Sequence, residues 1–278
     1  MTVIIKSMTD PCPKLHDLRR ALTSWQPSWQ PSWQHSWQHS SQHSWQHDER
    51  RLGLGVPGID AVLGGGLLLG AVHELSSARP RDHGALAGFA AALAALINAN
   101  KDGRQIVWIQ HDFAAVEAGH LYDLCGLPLS SLVVVQVPRV IDALWALEET
   151  LKCRAVAAVV AEIAEEGSID LTATRRLSLA ARDGGGLGLL LRHRPAATSS
   201  ASATRWEVAS ASGARDAFGG LGHTTFTLSL VKNRYGPCGR WLLSWDPHER
   251  TFTSSALSLG VAETARDRSA RALSARAA

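Results

Sequence analysis

From Leu52 onward the apolar positions fall into short runs set apart by polar or Gly-rich breaks. The runs at 71–76 (AVHELS), 105–110 (QIVWIQ), 132–136 (LVVVQ), 155–161 (AVAAVVA) and 187–192 (LGLLLR) are nearly continuous. Short continuous runs are the pattern of strands covered on both faces. Between them, segments at about 85–99, 114–125, 139–152 and 170–182 have helical length and composition. Strands alternating with helices predict an α/β fold, a mostly parallel sheet flanked by helices. Two period-two strands follow, 223–231 (HTTFTLSLV) and 240–246 (RWLLSWD). The intervening NRYGPCG carries Gly236, Pro237 and Gly239, so the core is expected to end in an antiparallel hairpin. The stretch 195–222, rich in Ala, Ser, Thr and Gly, reads as a long loop.

Upstream of Leu52 the pattern changes. Leu15, Leu18 and Leu22 share one face of a predicted helix at 14–23. A tandem SWQP/SWQH repeat then covers Ser24 to His47 and holds Trp25, Trp29, Trp33, Trp37 and Trp45, half of the ten Trp in the chain. Ser with Pro27 and Pro31 oppose a helix, so the segment reads as a low-complexity, disordered linker. Two sharper readings stay open: His35, His39, His43 and His47 at i, i+4 as transition-metal ligands, and the Trp rings as stacking or docking groups. The expected organisation is a helical segment at 1–23, the repeat at 24–50, the core at 51–256 and an Ala/Arg-rich tail at 257–278.

Composition narrows the class. The chain has 278 residues, 45% hydrophobic and 19% charged, as for a soluble globular protein. A net charge of +3 and a pI near 8.8 permit a nucleic-acid partner without requiring one. The longest apolar stretch, 85–99, includes Asn98 and is too short to span a bilayer, so no membrane association is expected. The first residues lack the apolar core of a signal peptide. Cys12, Cys125, Cys153 and Cys238 show no paired spacing and read as reduced thiols, which points to the cytoplasm.

The candidate chemistry lies around Gly55–Leu75. The order Gly55, Ile59, Asp60, Leu63, Gly64, Gly65, Gly66, Leu67, Gly70, Glu74, Leu75 resembles the entry to the RecA-type ATPase core. The later VKNRYGP (Val231 to Pro237) with GRWLLSWD resembles the RecA-related inducible mutagenesis protein A (ImuA) family. The likeness runs from about Leu52 to Phe252 and implies a RecA-like core.

The nucleotide chemistry of that core can be checked residue by residue. A P-loop needs G-x-x-x-x-G-K-[ST], whose backbone N–H groups and Lys hold phosphates and whose hydroxyl holds Mg²⁺. Here the sequence supplies ARPRDHGA. By the resemblance the first loop Gly falls at Ser77, the Lys at His83 and the hydroxyl at Gly84. His83 is too short and too weakly basic to replace Lys, and Gly84 offers no oxygen. Asp82 puts a negative charge where phosphate would sit, while Arg79 and Arg81 could partly compensate. The strand AVAAVVAEI has Ala161 at the Walker-B acid position and Glu162 one residue on, aimed at the other face. Asp112 stands where a water-orienting Glu would be expected. The site reads as degenerate, with no catalytic residue, no cofactor and no metal expected.

Three basic groups remain as candidate contacts. Arg192, His193 and Arg194 close a strand and Arg205 with Trp206 follow, able to meet single-stranded DNA by charge and stacking or to be ordinary surface. Lys232 and Arg234 match a pair that the resemblance places at a filament interface; here they would meet a protein partner or anchor the hairpin. Arg266, Arg268, Arg271 and Arg276 in the tail, partly offset by Glu263 and Asp267, would be solvated or dock a partner. The resemblance implies a non-catalytic adaptor of SOS-induced, error-prone translesion DNA synthesis. It would work with an ImuB-like Y-family polymerase homologue, RecA and an error-prone replicative-type polymerase. A weak noncanonical RecA-like ATPase and a SulA-like cell-division inhibitor are the alternatives.

Overall fold

A computed structural model describes residues 4–6, 50–99, 103–112, 126–163, 169–195, 198–215, 219–220 and 222–254. Its strands are β1 (Ile4–Lys6), β2 (Arg51–Leu52), β3 (Leu67–Leu68), β4 (Ala71–Ser76), β5 (Gln105–His111), β6 (Leu132–Val137), β7 (Val156–Ile163), β8 (Leu187–Arg192), β9 (Thr204–Ala211), β10 (Thr224–Asn233), β11 (Gly239–Asp246) and β12 (Thr251–Ser254). The described helices are α1 (Pro57–Val62), α2 (His83–Asn98), α3 (Val140–Lys152) and α4 (Leu171–Gly184), with short 3-10 turns at Pro80–Asp82 and Leu129–Ser131.

The main sheet has the order β1-β6-β5-β7-β8-β4-β9-β10-β11-β12. It is parallel from β6 through β9 and antiparallel from β9 to β12, and β1 joins β6 antiparallel. The expected α/β sheet with a closing hairpin is therefore present, and the hairpin pairs Leu230 with Gly239. β2 and β3 form a separate ribbon beside α1.

Each face of the sheet carries its own core. α2 covers one face, with Leu86, Phe89, Leu93 and Ile97 against Trp108, Trp206, Leu228 and Trp245. Its Ala-rich sequence favours helix and lets the axis lie close to the strands, and nine of its residues are buried. α3 and α4 cover the other face, over Val107, Ile109, Val135 and Val159. Asp170 caps α4 by accepting from Ala173 N at 2.7 Å, and Gly185 ends it at φ +73°. The central strand β7 is buried along its whole length, and its Ala residues leave room for helices on both sides.

One expectation is corrected. The stretch 195–222 is not a continuous loop, because 204–211 form β9, paired parallel with β4 and antiparallel with β10. Residues 204–208 alternate buried and half-buried, as a strand within a covered sheet should. β12 and β1, at the two sheet edges, were not foreseen. The predicted helices at 14–23 and 114–125, the SWQP/SWQH repeat and the tail from 257 lie outside the described residues. Among the described residues, no helix is long and apolar enough to cross a membrane.

Candidate functional site

The Gly-rich entry is a packed turn. The Asp60 carboxylate accepts from the N–H groups of Leu54 and Gly55 at 2.8 and 2.9 Å. Arg51 Nη1 donates to Leu63 O at 2.8 Å. Gly64, Gly65 and Gly66 all have positive φ, and a Cβ on Gly66 would lie 2.2 Å from Leu52 O. The glycines thus serve the approach of the turn to β2.

Between β4 and α2 the side chains bind one another. Asp82 is fully buried; its Oδ1 accepts from Ser210 Oγ at 2.7 Å and Ser210 N at 3.0 Å, and its Oδ2 from Arg79 Nε at 2.7 Å. The Ser210 hydroxyl foremost, with the Ser210 N–H and Arg79, draws its carboxyl down to about 2 against the cost of burial. Asp82 therefore pins the start of α2 to β9 with its charge compensated inside the fold. His83 stacks on His193 with ring centroids 4.0 Å apart, and its Nε2 donates to His193 O at 3.2 Å. Gly84 is exposed, with open space where a Cβ would be. Arg81 is exposed, and the buried Ser77 Oγ has no hydrogen-bond partner among the described residues.

The second acid site is likewise turned inward. Glu162 is buried in β7; Trp108 Nε1 donates to its Oε1 at 3.0 Å and Gln110 Nε2 to its Oε2 at 3.4 Å. Burial raises its carboxyl above the usual range, against the pull of these two donors. Ala161 packs into the α3/α4 face. Asp112 is exposed beyond β5. Among the described residues no group of three or more His, Cys, Asp or Glu side chains could hold a metal ion.

Two of the basic candidates, Arg205 and Lys232, converge on the segment 198–203. Arg192 is buried at the end of β8, with His193 half-buried and Arg194 exposed after it. Arg205 Nε donates to the buried Glu74 at 3.0 Å and its Nη2 to Thr198 O at 2.9 Å. Lys232 Nζ donates to Ser200 O and Ser202 O at 2.6 and 3.0 Å. Burial and the nearby Arg205 guanidinium lower the Lys232 ammonium below its ordinary pKa. Thr174 Oγ1 accepts from Ala201 N at 3.1 Å, and Ser178 Oγ donates to Ala201 O at 3.1 Å. Residues 198–203 are thus stapled to β9, β10 and α4. Trp206 is 1% exposed, so the base-stacking alternative is closed to it, and it is not surface either. Its Nε1 donates to Thr204 Oγ1 at 2.8 Å.

That bond belongs to a buried relay which the sequence did not reveal. His73 Nδ1 lies 2.7 Å from Thr204 Oγ1, and His73 Nε2 lies 2.9 Å from Leu68 O. A carbonyl only accepts, so Nε2 carries the proton and Nδ1 accepts from the Thr204 hydroxyl. Full burial holds the His73 pKa down at about 4, with Arg51 adding to the shift and the Leu68 bond opposing it. The relay joins β3, β4 and β9. His73 and Thr204 are 131 residues apart, so no local motif marks the pair.

The KNRYGP hairpin turn organises itself around Asn233. Asn233 Nδ2 donates to Val62 O at 3.2 Å and Pro237 O at 3.0 Å, and its Oδ1 accepts from Tyr235 N at 3.1 Å. The Arg234 guanidinium sits 5.9 Å from the Tyr235 ring centroid. The four tail arginines lie outside the described residues.

Two relatives named protein ImuA, from Caulobacter vibrioides strains NA1000 / CB15N and ATCC 19089 / CIP 103742 / CB 15, are each 36% identical to the chain over 206 residues. The match covers 69% of this chain and 82% of each relative. The chain belongs to the ImuA family. No family model matches it. The solved RadB recombinase covers 73% of this ImuA-family chain and 99% of its own, with a TM-score of 0.51 and 14% identity. At that identity the likeness is one of fold, and it agrees with a RecA-like core.

Proposed function

We propose that this ImuA-family chain is a non-catalytic accessory protein of damage-induced, error-prone translesion DNA synthesis. It acts in the cytoplasm as an adaptor in a mutagenic polymerase assembly. Its partners are an ImuB-like Y-family polymerase homologue, RecA and an error-prone replicative-type polymerase. One observation carries the non-catalytic part of this reading: Asp82, at the start of α2, is locked to Ser210 and Arg79, directly before the position where a phosphate-holding Lys would stand. Phosphoryl transfer depends on a positioned cation and Mg²⁺, and this turn supplies neither a Lys nor a hydroxyl at the matching positions. Family membership supports the link to inducible mutagenesis.

Isothermal calorimetry of the purified chain with the polymerase homologue, and separately with RecA, tests the adaptor role. Saturable binding to either supports it, and no heat with both overturns it. Equilibrium binding of labelled ATP with and without Mg²⁺ tests the other half. Saturable, Mg²⁺-dependent binding lost on replacing Arg79 and Arg81 would restore the weak-ATPase reading.

A further inference from the structure

The turn end of the β10–β11 hairpin carries two large exposed apolar side chains, Val231 late in β10 at 44% and Tyr235 in the turn at 50% exposure. Val231 is outside the ladder because the β9–β10 register shifts between Leu230 and Lys232. Such a bulge turns a side chain outward that regular pairing would place on a sheet face. Asn233 holds the turn through Val62, Pro237 and Tyr235, and Lys232 is spent on the carbonyls of Ser200 and Ser202. The turn is therefore pre-organised, and a partner meets little ordering cost there.

We propose that this turn is the docking point for an acidic segment of a partner protein that carries an apolar anchor. The proposal rests on the adaptor reading and gives its partner a chemistry. Charge complementarity argues for the occupant. Between Thr224 and Trp245 the chain holds Lys232, Arg234 and Arg240 and no Asp or Glu. Lys232 is turned inward, Arg234 lies over the Tyr235 ring, and Arg240 gives its Nε to Ser229. Tyr and Arg are both enriched at protein–protein contacts and among the residues that carry their binding energy. Single-stranded nucleic acid fits less well, because two outward guanidiniums would neutralise only about two phosphates.

Fluorescence anisotropy with the full chain provides the test. The probe is a labelled peptide of Asp, Glu, Leu and Phe, beside the same peptide with Lys for the acids and a labelled oligothymidylate. The acidic peptide is expected to bind saturably and more weakly as salt rises. Its affinity should fall about tenfold in Tyr235→Ala, fall also in Arg234→Glu, and hold in Ile141→Ala on α3. Equal or tighter binding of the Lys peptide or the oligothymidylate, no binding of the acidic peptide, or full binding by both hairpin variants overturns the proposal. Both side chains project into solvent, and circular dichroism of the variants checks that the fold is kept. Calorimetry with the polymerase homologue separates the two readings. Equal binding by wild type and hairpin variants removes the docking point and leaves the adaptor; failure of the wild type to bind it or RecA, with peptide binding intact, removes the adaptor alone.

Discussion

Replacing His73 with Gln should flatten the acid limb of the stability curve. The folded chain holds His73 neutral down to about pH 4, whereas an unfolded His takes its proton near pH 6.5. Between those values the unfolded state binds the additional proton, so stability falls as pH falls. Above pH 6.5 both states are neutral and the residue contributes no pH dependence. The window of about 2.5 units, at about 1.36 kcal/mol per unit, amounts to about 3.4 kcal/mol, complete near pH 4. Burial away from water is the main cost, and the relay offers the added proton no acceptor in return. A proton on Nδ1 would meet a Thr204 oxygen that already accepts from Trp206, in a site with no carboxylate bonded to the imidazole. Urea unfolding followed by Trp fluorescence, from about pH 8 to about pH 4, measures it. His73→Gln should begin about 1–3 kcal/mol below wild type, having lost buried hydrogen bonds, and close that gap as the pH drops. Other titrations cancel in the difference between the two proteins. Parallel curves with a constant offset would refute the reasoning.

Two further outcomes follow from named contacts. Gly66→Ala forces a Cβ to 2.2 Å from Leu52 O at φ +131° and should cost about 3 kcal/mol or more, read as a lowered Tm; a change under about 0.5 kcal/mol would mean the turn can relax. Asp82→Asn keeps an acceptor for Ser210 but removes the charge facing Arg79, so it should destabilise less than Asp82→Ala at pH 7. It should also abolish the loss of stability that wild-type Asp82 gives as pH falls from about 4 towards about 2, which acid titration by circular dichroism would register.

The parallel half of the fold was legible because its strands are buried on both faces and so read as continuous apolar runs. β9 was missed because its TRWEV alternation is embedded among Ser, Ala and Gly, whose turn signals outweigh five residues of period two. At the candidate site the sequence showed which groups are missing, since a P-loop is a local pattern. It did not show where the remaining groups go. Asp82 meets Ser210 at a separation of 128 residues and Arg205 meets Glu74 at 131, and only strand order brings such pairs together. Trp206 illustrates the same gap: an aromatic in a polar stretch looks available, yet its place beside β4 buries it.

The position of β4 also bears on how the chain is made. All six of its residues are buried, and both of its neighbours, β8 and β9, come after residue 186. On the ribosome this strand emerges early and has no native partner until most of the protein has been synthesised. Its edges stay open through that interval, the condition under which nascent chains misassociate. β9 to β12 close through successive antiparallel neighbours with short separations, so they can form quickly once they emerge. β4 is the strand through which the parallel half meets the antiparallel half, so messages truncated before β8 should give insoluble products.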